Sequence, residues 1–172
     1  MILIKSSFEN NVLYKLLENF SQYNLNLNHI NKIGQTALML SCQHNEHFSQ
    51  KMFELLSDDE INHISNAGYT ALMYACENKY NDMAESLLSK STKTSLQSIT
   101  KNGSTALEIS IHGLMENLSV EILKKYDSND TINNAYDLFL FSCKKKMEQL
   151  SNKLYPYLQI SDKIILFEKY SH

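Results

Sequence analysis

Apolar residues in this chain fall mainly three and four positions apart, the spacing that collects side chains on one face of a helix. Val12, Leu13, Leu16, Leu17 and Phe20 follow it over residues 11–20. Phe48, Met52, Phe53, Leu55 and Leu56 follow it next, then Met83, Ala84, Leu87 and Leu88, then Leu118, Ile122 and Leu123. Each of these last three runs comes after a shorter apolar stretch that opens Ala-Leu, at Ala37, Ala71 and Ala106. The pattern predicts helix pairs, a short member followed by a longer one. Leu138 to Cys143 echoes Ala37 to Cys42 and predicts a further short helix, and Ile164 to Phe167 predicts a terminal one.

What separates the pairs is also repeated. Asn31-Lys32-Ile33-Gly34-Gln35-Thr36-Ala37-Leu38, Ser65-Asn66-Ala67-Gly68-Tyr69-Thr70-Ala71-Leu72 and Thr100-Lys101-Asn102-Gly103-Ser104-Thr105-Ala106-Leu107 align at spacings of 34 and 35 residues. Three of the four glycines share one place in this repeat. Asn31, Ser65 and Thr100 can bond to the backbone of a following turn, and the glycine suits a positive φ within it. Thr36, Thr70 and Thr105 then stand where a helix N-cap belongs. Each unit therefore reads as turn, short helix, loop, longer helix. The first unit is expected to carry about two extra residues between its helices, near His44 to His47. The longer loop from Ser89 to Gln97 is expected to give the third turn a different shape.

Turn, Thr-Ala-Leu and two helices over about 33 residues resemble the ankyrin repeat. Tyr69-Thr70-Ala71-Leu72-Met73-Tyr74-Ala75-Cys76 with Leu87-Leu88 is the closest stretch. Ala37, Ala71 and Ala106 replace the family's proline, and Met39, Met73 and Glu108 its histidine. The resemblance implies an all-α, ankyrin-type helical-repeat solenoid with three clear repeats and degenerate terminal capping repeats. Residues 1–30 are read as a truncated, capping first repeat, 31–64, 65–99 and 100–130 as repeats, and 131–172 as a degenerate repeat with a C-terminal capping helix.

Composition removes several functions. All 16 basic residues are lysine, and the net charge is −3 with a pI near 6.1. Nucleic-acid readers depend on arginine for bidentate contacts, so a nucleic-acid partner is not expected. No apolar run reaches the ~18 residues of a membrane span. The opening Met1 to Lys5 lacks a signal peptide's features. The expected location is a reducing compartment, the cytoplasm, or a host's cytoplasm or nucleus if the source is a pathogen or a virus.

Chemistry is sparse. The dispersed glycines form no phosphate loop, and neither G-x-S-x-G nor H-E-x-x-H occurs. Cys42, His44 and His47 could supply nitrogen and sulfur to zinc, although Cys42 falls in the slot of a small buried residue repeated by Cys76, with Cys143 expected to continue the row. Asp58-Asp59-Glu60 reads as an exposed connection. No enzyme activity and no cofactor are expected.

The family resemblance implies a concave face, made of turn tips and first helices, that binds another protein. The corresponding positions include Lys32, Ile33, Gln35 and Gln43; Asn66, Tyr69 and Glu77; and Lys101, Asn102, Ser104 and His112; Met39 and Met73, close by on the first helices with Tyr74, are counted in the expected binding set. Tyr69→Ala is expected to spare stability and weaken binding. The protein is expected to be monomeric in isolation. Two alternatives stay open: a metal or small-ligand site at the Cys42/His44/His47 elbow, and an obligate subunit that docks through Ile164 to Phe167.

Overall fold

In each of the three repeated turns, a polar side chain and a glycine close a hairpin. Asn31, Ser65 and Thr100 donate their backbone N–H to the carbonyls of Gln35, Tyr69 and Ser104 at 2.9–3.0 Å, and their own carbonyls accept from Gly34, Gly68 and Gly103. Their side-chain oxygens accept from the N–H of Gln35 at 2.9 Å, Tyr69 at 3.1 Å and Ser104 at 3.1 Å. The glycines take φ of +79°, +80° and +85°, a region costly for a residue with a Cβ. Thr36, Thr70 and Thr105 then accept from the N–H three residues on, each at 3.3 Å, and start a helix. The third turn has the same geometry as the others, contrary to expectation.

The computed structural model describes residues 27, 29–127 and 130–170; the helix expected over residues 11–20 lies outside them. Its helices are α1 (Ala37–His44), α2 (Glu46–Leu55), α3 (Asp58–Ile61), α4 (Ala71–Glu77), α5 (Asn81–Lys90), α6 (Lys93–Leu96), α7 (Ala106–His112), α8 (Glu116–Lys124), α9 (Ala135–Lys144), α10 (Glu148–Leu154) and α11 (Ile160–Tyr170), with a 3₁₀ turn at Tyr155–Tyr157. Among the described residues there is no β-sheet, only an isolated bridge between Ile30 and Thr36. Helices α1, α4, α7 and α9 stack in order as an inner layer, and α2, α5, α8 and α10 stack behind them. The core between the layers is one apolar cluster running from Leu38 to Leu154. The chain is an all-helical repeat solenoid.

The outward connections repeat as well. Ser57 caps α3 in a capping box with Glu60, and Thr92 caps α6. The stretch from Ser89 to Gln97 thus matches the connection before it. Asn62 ties the two together: its Nδ2 donates to the Lys90 carbonyl at 2.9 Å, and its Oδ1 accepts from the Thr92 N–H at 2.8 Å. Fingers are joined in the same manner. His63 Nε2 lies 3.0 Å from the Gly34 carbonyl, and Ser98 Oγ, one repeat later, donates to the Gly68 carbonyl at 2.9 Å.

Three expectations need correction. Between its helices the first repeat is one residue shorter than its neighbours: 12 positions separate Thr36 from Phe48, whereas 13 separate Thr70 from Met83 and Thr105 from Leu118. Asn45 alone spans that gap and caps α2 through Phe48 N at 2.9 Å. The later repeats turn through a left-handed residue instead: Lys79, Leu114 and Lys146. Leu55 is 42% exposed because Leu56, four residues after Met52, takes the inward place. Cys143 is exposed while Cys42 and Cys76 are buried. It keeps their register, but among the described residues no inner helix lies over it.

The two buried thiols make a testable contribution. Burial pushes both up from 9.0 to about 12; Ser49 and Ser41 oppose this at Cys42, while Glu77 adds to it at Cys76. An acid whose folded value is raised contributes stability that is full below the unfolded value and is lost as pH rises through the folded one. The unfolding free energy should therefore fall between pH 9.0 and about 12, by at most about 1.4 kcal/mol per pH unit for each thiol. Chemical denaturation across that range should show a shallower fall for Cys42→Ala/Cys76→Ala. An unchanged slope would contradict the burial.

Candidate functional site

The fingers and the inner helices share one face, and the repeat fixes its rows. At the tips, Lys32, Ile33, Asn66, Lys101 and Asn102 are exposed, Ile33 by 59%. Backbone bonds hold neighbouring tips together, Asn66 N–H to the Ile33 carbonyl at 3.2 Å and Lys101 N–H to the Ala67 carbonyl at 3.0 Å. Asn66 Nδ2 also donates to the Lys32 carbonyl at 3.4 Å. The next row inward is Gln35, Tyr69 and Ser104, at the base of each finger.

That base row is partly closed. Gln35 is buried and donates through Nε2 to the Tyr74 hydroxyl at 2.8 Å. Tyr69 stacks on Tyr74 with centroids 4.8 Å apart and ring planes 19° from parallel. Its hydroxyl donates to Glu77 Oε1 at 3.0 Å. Burial first, and then Glu77, push that hydroxyl above its ordinary value. Tyr69 is therefore both a surface residue and a packing residue. Tyr69→Ala should lose about 0.5–1.5 kcal/mol of aromatic pairing beyond area burial, which corrects the expectation that stability is spared. Tyr69→Phe keeps the ring and should shift the urea midpoint less. Equal midpoints for the two variants would show that the stacking contributes nothing.

Helix register explains which first-helix residues reach the surface. Met39 and Met73 are 1% and 0% exposed. They sit at the third helical position, which faces the core, so neither offers surface to a partner; their place in the expected binding set is withdrawn. The residues one step further on do face outward: Leu40, Tyr74, Ile109 and Phe141 hold one register, with Leu40 38% exposed, Ile109 and Phe141 half-buried and Tyr74 buried beneath Tyr69. Sequence reasoning passed over Leu40, Ile109 and Phe141, although the first two stand four residues after the N-caps Thr36 and Thr105, and Phe141 holds the place of Leu40 in the echo of Ala37 to Cys42. Three residues beyond lies a polar row of Gln43, Glu77, His112 and Lys144, all exposed except the half-buried Gln43. The His112 ring meets Phe141 edge-on, centroids 4.8 Å apart.

This face carries an apolar stripe beside a polar one whose charge runs from acid at Glu77 to base at Lys144. It offers contact and orientation. The elbow is a different matter. His44 and His47 are exposed while Cys42 is fully buried beside Ser41 and Ser49. Among the described residues no group of three or more His, Cys, Asp or Glu side chains is placed to hold a metal ion, so the structure does not assemble the three into a site. No helix among the described residues is long and apolar enough to cross a membrane.

A family model described as "Ankyrin repeats (3 copies)" matches residues 1–98 and, in a second overlapping placement, residues 49–134. A comparison with curated proteins returns no match.

Proposed function

Because this chain belongs to the ankyrin-repeat family, whose repeats are generally protein–protein interaction modules, we propose that it is a non-catalytic module holding a partner protein against its fingers and inner helices. The apolar row of Leu40, Tyr69 stacked over the buried Tyr74, Ile109 and Phe141, set beside the polar row of Gln43, Glu77, His112 and Lys144, carries this reading. Apolar contacts would supply affinity, and the change of charge along the polar row would set the partner's direction. The finger-to-finger backbone bonds hold the tips in place before binding, so little ordering cost falls on association.

Ile33 and Leu40 are exposed apolar positions on this face, away from the Tyr69 packing. An Ile33→Asp/Leu40→Asp variant should keep the wild-type circular dichroism and urea midpoint. Quantitative pull-down with mass spectrometry should then lose by at least about tenfold a partner that wild type retains. Equal recovery by both forms would move the binding site off this face.

A further inference from the structure

The stack leaves its last step uncovered. Cys42, Cys76, Ile111 and Cys143 hold one register, and in the later three the carbonyl accepts the N–H of the left-handed residue that ends the turn, at 3.0–3.1 Å. Cys42, Cys76 and Ile111 are buried because α4 lies on α1, α7 on α4 and α9 on α7. Among the described residues no inner helix follows α9. The 3₁₀ turn and α11 come instead, and α11 stands away from α9 with Ile160, Ile164, Ile165 and Phe167 all exposed. A trough of about 910 Å³ remains, with Phe139, Leu140 and Cys143 along one side, Leu166 and Phe167 along the other, and Tyr155 between.

We propose that this trough takes one amphipathic α-helix from a partner protein, apolar on its inner face and acidic along its edges. Two observations fix the occupant. Every earlier step of the stack covers this register with a helix, so the exposed surface of α9 has the relief that receives one, with axes ~8–10 Å apart. The lining also carries Lys144, Lys163 and Lys169 and, among its described residues, no carboxylate. Lys163 Nζ lies 5.2 Å from the Tyr155 ring centroid, which places that charge at the edge of the apolar floor. Apolar anchors spaced along one helix face fit such a floor, and acids beside them meet the lysines. The trough meets the rows of the inner face only at Lys144, the last residue of the polar row.

Cys143 reports on occupancy without any substitution, because it is exposed and the other two cysteines are buried. Iodoacetamide should alkylate it first. The probe is a synthetic helix of about 18 residues, five turns, with leucine along one face and glutamate elsewhere; a control carries lysine in place of every glutamate. At low salt the glutamate helix should slow Cys143 alkylation about tenfold, the lysine helix should not, and high salt should remove the difference. A Lys144→Glu/Lys163→Glu variant, with unchanged circular dichroism, should reverse the preference. Equal protection by both helices, or none by either, would overturn the proposal. So would protection that grows with protein concentration alone, since a second copy would then fill the trough.

Discussion

Leu72→Ala is expected to cost about 2–5 kcal/mol of stability. Leu72 is 3% exposed in α4, the inner helix that contacts both α1 and α7. Shortening it opens space at two repeat interfaces, and an array of this kind draws its stability from such nearest-neighbour contacts. Leu72→Met nearly preserves volume and should cost less than about 1.5 kcal/mol. Urea titrations of the three proteins, compared at constant m, should give that order. A wild-type midpoint for the alanine variant would remove Leu72 from the core.

Gly68→Ala and Gly103→Ala should differ sharply although both glycines have nearly the same φ, +80° and +85°. At either position a Cβ in the left-handed region costs roughly 1–2 kcal/mol. At Gly103 the new methyl meets nothing within 4 Å, so that strain is the whole effect. At Gly68 it would lie 2.0 Å from the Ile99 carbonyl oxygen, a backbone atom that cannot turn aside. The second and third fingers must then separate, giving up the Lys101-to-Ala67 bond and the Ser98-to-Gly68 bond. Each hydrogen bond contributes about 0.5–1.5 kcal/mol, so Gly68→Ala should cost about 1–3 kcal/mol more than Gly103→Ala. Similar thermal midpoints for the two variants would show that the fingers are not in contact.

Most of the fold was legible because its punctuation is local. A glycine at positive φ, a threonine cap and an apolar pair each act within a few residues, and their recurrence at 34 and 35 positions exposed the units. Even α9, which no finger precedes, could be recognised from its echo of α1. The misreadings arose where distant packing decides. The short first linker was mistaken for a long one, whereas Asn45 closes the turn alone. Cys143 matches its counterparts in sequence and differs only in what lies above it.

The candidate face was legible in its tips and less so on its helices. Met39 and Met73 were included as first-helix neighbours of the family's contact positions, but a helix rotates about 100° per residue, so the next position along faces outward. Leu40 therefore reaches the surface and Met39 does not. Tyr69 was expected among the exposed tips, whereas it lies at the finger base stacked on Tyr74, a contact that the turn alone does not reveal.

The four stacked inner helices also act as a ruler. At ~8–10 Å between packed axes, their three intervals span about 24–30 Å. A standard protein interface buries about 800 Å² on each partner, a patch of comparable width. The described array is therefore about as long as a single footprint. A partner that settles across the row from Leu40 to Phe141 would leave little of this face for another, so two proteins drawn to it should compete rather than bind together.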